Sequence, residues 1–138
     1  MKILITIPHA STGGLPQVAL TRVENLIKNH DVYVIEYNYI SWSYVVQRDK
    51  MIEILGDKFI SLGNNNLIDI IKYTNPDIIH MEEMPEMFIN PMYCDWIYRA
   101  DRNYKITECT HTSAIINKKY FPDKFMFVSE YSKQQYKN

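Results

Sequence analysis

The amino-acid sequence predicts an α/β fold with a doubly wound, mostly parallel β-sheet. Three observations carry this expectation. Short runs rich in β-branched and aromatic residues recur along the chain, and segments of helical apolar period separate them. The first run, residues 2–7 (KILITI), is apolar at almost every position, as in a strand covered on both faces. Two of the chain's four glycines stand together as Gly13-Gly14, between that run and the first helical segment. Glycine at such a turn lets the backbone take positive φ or approach a ligand closely.

Each element follows in order. Residues 2–7 form the first strand. Residues 15–28 form the first helix, with Leu15, Val18, Ala19, Val23, Leu26 and Ile27 as its apolar stripe. Pro16 lies in its first turn, where a missing N–H costs nothing. Residues 31–37 are the second strand, and residues 43–55 the second helix, its start blurred by Tyr44-Val45-Val46. A short third strand over 58–62 turns through Gly63-Asn64-Asn65-Asn66 into a third helix over 67–74, which Pro76 stops. A fourth strand begins at 77–80, and a helix over 92–100 follows the stretch from Pro85 to Pro91. Strands over 104–109 and 124–128 complete the pattern. Strands alternating with helices specify one Rossmann-like domain, residues 1–138, with right-handed crossovers. Ser129 is suited to N-cap a further helix of about two turns, marginal alone. The chain is therefore expected to continue into a larger protein.

Composition narrows the function classes. The chain has 138 residues, enough for a core that needs neither disulfides nor metal. A formal net charge of −1 gives no field that draws it to nucleic acid. No leader pattern and no apolar run of about 20 residues is present, so a soluble, cytoplasmic chain is expected. Cys94 and Cys109 are too few and too separated for a local zinc set and read as buried free thiols. Eleven tyrosines suit surfaces that bind sugars, rings or partners, and equally suit strands.

In an open parallel sheet, ligands bind beyond the carboxyl ends of the strands. That rule selects the loops at 9–14, 36–39, 61–64, 81–86, 110–113 and 129–132. Gly13-Gly14 either lets the helix N–H groups meet an anion or only closes a tight turn. Leu15-Pro16-Gln17 follow the pair, so the G-x-G-x-x-G fingerprint of dinucleotide sites is incomplete, although Glu36 stands where a ribose-binding acid would. His111, within Thr110-His111-Thr112-Ser113, is either a functional imidazole at the ligand edge or a loop side chain bonded to a neighbour. His80 reads as a satisfied core histidine. His9 is placed to touch a phosphate, and His30 suits the end of the first helix. Glu82, Glu83 and Glu86 form an acidic cluster that grips hydroxyls, works as acid and base, or is a solvated loop.

These residues resemble a known family. Met1-Lys2-Ile3-Leu4 with the later Gly13-Gly14 is similar to the opening strand and glycine loop of GT-B fold retaining glycosyltransferases of the group 1, or family four, type. Pro76-Asp77-Ile78-Ile79-His80 resembles their fourth strand, and Thr110-His111-Thr112-Ser113 their strand-plus-histidine loop. Phe127-Val128-Ser129-Glu130-Tyr131-Ser132-Lys133 resembles the turn that closes their acceptor-binding N-terminal domain. The motifs occur in the family's order and span nearly the whole chain.

The resemblance implies sugar transfer with retention, from a nucleotide-diphosphate donor to a carbohydrate or lipid-linked acceptor, the latter by peripheral membrane contact. It implies no cofactor and no obligatory metal. Gly13 and Gly14 are then expected near the donor diphosphate, His111 as the catalytic contact to the transferred sugar, and Glu82 and Ser129 in the binding set. The family's C-terminal donor-binding domain is a partner in cis outside residues 1–138, so the isolated chain is expected to be inactive. Where relatives often carry a second histidine after the fourth strand, this chain has Glu82-Glu83. The alternatives are a Rossmann-like binding module without catalysis and an epimerase-like GT-B relative.

Overall fold

The computed structural model describes residues 1–11, 13–38, 46–111 and 118–127. Among these, six strands form one sheet: β1 (Lys2–Ile7), β2 (Asp31–Glu36), β3 (Phe59–Ser61), β4 (Ile78–Glu82), β5 (Lys105–Thr110) and β6 (Lys124–Phe127). The strand order is β3-β2-β1-β4-β5-β6 and every pairing is parallel. Four helices connect them: α1 (Gly14–Leu26), α2 (Val46–Leu55), α3 (Leu67–Thr74) and α4 (Pro91–Ile97). This is the expected Rossmann-like, doubly wound architecture.

Strand parity builds two cores. Ile3, Ile5 and Ile7 of β1 join Val32 and Val34 of β2 under Ala19, Leu20 and Val23 of α1 and Met51 and Leu55 of α2. On the opposite face Leu4, Ile35, Ile79, Met81 and Ile106 pack against Leu67 and Ile71 of α3 and Cys94 and Ile97 of α4. β1 is thus covered on both sides, which is why its sequence does not alternate. Because α1 and α2 cover one face and α3 and α4 the other, the chain reverses direction between β1 and β4. The crevice at the carboxyl ends of those two strands is the topological switch point.

Local chemistry sets the element ends. Gly13 precedes α1 at φ 125°, a conformation an L side chain rarely adopts. Asn66 caps α3 by accepting from Ile68 N at 2.8 Å and Asp69 N at 3.3 Å, and Asn75 ends that helix in the left-handed region. Asn90 caps α4 through Met92 N at 2.9 Å, with Pro91 at the first helical position. α4 stops at Ile97, short of the expected 100, and Arg102 Nη1 donates to the freed carbonyls of Tyr98 and Arg99. The expected start of α2 at 43–45, and Val128 and Ser129, lie outside the described residues. Among the described residues no helix is long and apolar enough to cross a membrane.

Ile5 is fully buried in the central strand. Ile5→Ala is expected to lower the unfolding free energy by about 2–5 kcal/mol. A urea melt matching the wild type contradicts a central β1 covered on both faces.

Candidate functional site

The carboxyl ends of β2, β4 and β5 each carry a buried glutamate. Glu36, the last residue of β2, is 0% exposed. Its carboxylate accepts from Ala10 N at 2.6 Å, from Ser61 Oγ at 2.9 Å and from both Arg48 Nε and Nη2. These bonds tie the loop after β1 to β2, β3 and α2. They also occupy the one acid placed for a nucleotide ribose, which weighs against a dinucleotide site.

Glu82 ends β4 and is also 0% exposed, so the expectation of a loop from residue 81 is corrected. The strand extends because the buried charge finds donors. Arg22 Nε of α1 donates to Oε2 at 2.8 Å and Nη2 to Oε1 at 3.2 Å. His80 Nε2 donates to Oε2 at 3.1 Å and His111 Nε2 to Oε1 at 2.7 Å. Burial alone would raise the Glu82 pKa, but the hydrogen bonds from His111, His80 and Arg22 outweigh it and hold the carboxyl ionised, well below its usual range. His80 is the satisfied core histidine expected, its Nδ1 paired with Thr107 Oγ1 at 2.6 Å.

The rest of the acidic cluster is not a solvated loop either. Glu83 is 6% exposed and sits at φ 105°, strained for a side chain of L configuration. Its Oε1 accepts from Met84 N at 3.0 Å and from His111 N at 3.3 Å. Glu86 accepts from Lys118 Nζ at 2.8 Å, Lys119 N at 2.8 Å and Tyr120 N at 3.0 Å. Lys118 also bridges to Glu108 at 2.8 Å, on the α4 side of β5. Each carboxylate in the cluster thus has internal donors.

His111 is therefore held twice, by Glu82 on its ring and by Glu83 on its backbone. Its side chain remains 14% exposed at the rim. Burial opposes its charge, yet hydrogen bonds to Cys109 and Glu82 raise its pKa to about 9, leaving an imidazolium at neutral pH. His9 differs. Burial is the largest influence and lowers its pKa, and Nδ1 accepts from Ser11 N at 3.3 Å, so a neutral ring sits beside the glycine loop. That ring brings no charge to a phosphate.

Of the expected site residues, Glu82 and His111 are in direct contact, while Gly13 and Gly14 follow β1, two strands from β5. Neighbouring strands are spaced about 5 Å, so the strand axes lie about 10 Å apart. The positive φ belongs to Gly13, whereas a Cβ on Gly14 meets no atom within 4 Å. Ser129 lies outside the described residues. Sequence reasoning missed Arg22 and the position of Cys109. A signal for Arg22 existed: it falls between Val18 and Leu26 at four-residue spacing, a cation inside an apolar helical row.

His111 makes a pH prediction. Its folded pKa is raised, so its contribution to stability is complete below about pH 6.5, the ordinary imidazole value, and disappears as pH rises through about 9. The melting temperature is expected to fall across that window, and to fall less in His111→Asn. Equal slopes in the two proteins contradict the assignment. Compared with known proteins, the chain matches no family model, no curated protein and no solved structure, so the geometry of this edge carries the functional reading.

Proposed function

We propose that this chain is the acceptor-side half of a retaining glycosyltransferase of GT-B type, completed in cis by a donor-binding domain. The observation that carries the reading is the content of the switch-point edge. A glycine pair opens α1 beyond β1, strained Glu83 follows β4, and His111 beyond β5 is clamped by Glu82 and Glu83. Backbone strain persists where the surroundings over-determine it, and it concentrates at ligand sites. An imidazolium is a poor base at neutral pH. In this reading His111 acts by charge and hydrogen bonding on the sugar and its departing diphosphate, while Glu82 and Glu83 position it. Gly13 and Gly14 give the diphosphate room at the N-terminus of α1.

A second reading, a binding module without chemistry, is favoured by one observation: among the described residues, the edge carboxylates Glu36, Glu82, Glu83 and Glu86 have internal donors. Kinetics separates the two. Residues 1–138 alone are expected to turn over no nucleotide sugar. In the protein joined to its donor domain, Gly14→Val is expected to weaken donor use about tenfold or more, with an unchanged melting temperature, because the space around Gly14 is open. His111→Ala is expected to lower kcat roughly 100-fold, the scale of losing one preorganised donor to developing charge. Wild-type kinetics in both variants overturns the transferase reading.

A further inference from the structure

Parity along β4 and β5 creates a second chemical possibility at this edge. Glu82 and Cys109 are register partners on adjacent strands, and His111 follows Cys109 by two residues. Residues two apart project from the same side of a strand. A Glu82 carboxylate oxygen, Cys109 Sγ and a His111 ring nitrogen consequently lie within 4.8 Å of one another. We propose that Glu82, Cys109 and His111 form a binding site for a single Zn²⁺ ion, a state of this edge that goes beyond the transferase reading and excludes its charged His111.

The donor set selects the metal. Thiolate, imidazole and carboxylate together suit Zn²⁺ and disfavour Mg²⁺ and Ca²⁺, which take oxygen ligands. Tetrahedral Zn–S and Zn–N lengths of about 2.3 and 2.0 Å place neighbouring donors roughly 3.3–3.6 Å apart. Donors already within 4.8 Å reach that spacing by side-chain adjustment. The two oxygens of Glu82 divide the work. Oε2 stays with Arg22 Nε at 2.8 Å and His80 Nε2 at 3.1 Å, the outer contacts that orient a metal-bound carboxylate. Oε1, now 2.7 Å from His111 Nε2, faces the ion, and Arg22 Nη2 releases its 3.2 Å contact there. His80 is fixed in turn by Thr107.

Zn²⁺ takes a thiolate sulfur and an unprotonated ring nitrogen, and any proton that it displaces from these ligands goes to buffer. Three protein ligands leave a fourth position for water or another ligand, the pattern of an open zinc site. The His111 side chain, 14% exposed at the rim, is the solvent-facing side of the cluster.

The test uses the 138-residue chain with Zn²⁺ and Co²⁺ as the probes. Zinc X-ray absorption of the wild type is expected to show one sulfur at about 2.3 Å with N/O ligands near 2.0 Å, at one ion per chain. The Co²⁺ form is expected to show a thiolate-to-metal charge-transfer band that Cys109→Ser abolishes and Cys94→Ser keeps. His111→Ala is expected to weaken Zn²⁺ binding at least about tenfold in chelator competition. A sulfur-free shell, a band that survives Cys109→Ser, or unchanged affinity in His111→Ala overturns the site. If Cys109→Ser does not fold, the wild-type shell and the His111→Ala affinity decide alone. Neither measurement uses sugar transfer, so failure here is distinguishable from failure of the transferase reading.

Discussion

The buried carboxylate of Glu82 constrains this edge of the sheet more than any other group. A charge taken out of water costs several kcal/mol unless oppositely charged donors surround it. Three side chains from separate parts of the chain do so: Arg22 on α1, His80 on β4 itself and His111 beyond β5. Each must hold its place or leave an unbalanced ion behind. The orientation of α1 over β4, the length of β4 and the position of His111 are therefore one coupled arrangement.

Glu36 repeats the device on the other side of β1. There the backbone of Ala10, the hydroxyl of Ser61 and the guanidinium of Arg48 surround a carboxylate at the end of β2. Glu108 and Glu86 share Lys118 on the opposite face. Acids near the carboxyl ends of three strands thus tie down the connecting segments that approach that edge. The two flanks of β1 are held by two independent ionic clusters, and the glycine pair lies between them.

The fold was largely legible in the sequence because its signals are local. Continuous apolar strands, an apolar helical row, Asn66 before α3 and Pro91 opening α4 are all decided within a few residues. The site was legible only in part. His80 as a core histidine and His111 at the ligand edge followed from position alone. The burial of Glu82 did not, because one of its partners, Arg22, lies 60 residues away and enters only when α1 docks. The same holds for Cys109: cysteine spacing along the chain says nothing of a glutamate across the strand register. Residue 83 carried no mark either, since a glutamate at φ 105° is held by the fold rather than by its own preference.

An edge whose charges are already paired has a consequence for any chemistry done there. In the transferase reading its carboxylates need no reorganisation when the substrate arrives, so the field they set up is fixed beforehand. In the proposed transferase reading, the ligand meets the glycine-bearing turn and the charged rim formed by His111. A negatively charged group fits both, because helix N–H groups and an imidazolium each favour an anion. A neutral ligand gains little from either. The anion preference that the transferase reading requires follows from burial and pairing of the acids rather than from an excess of bases, since the chain's net charge is −1. Polarity at this edge is thus a local product of the fold, made by hiding negative charge below the rim and leaving the positive end of the His111–Glu82 pair nearest the surface.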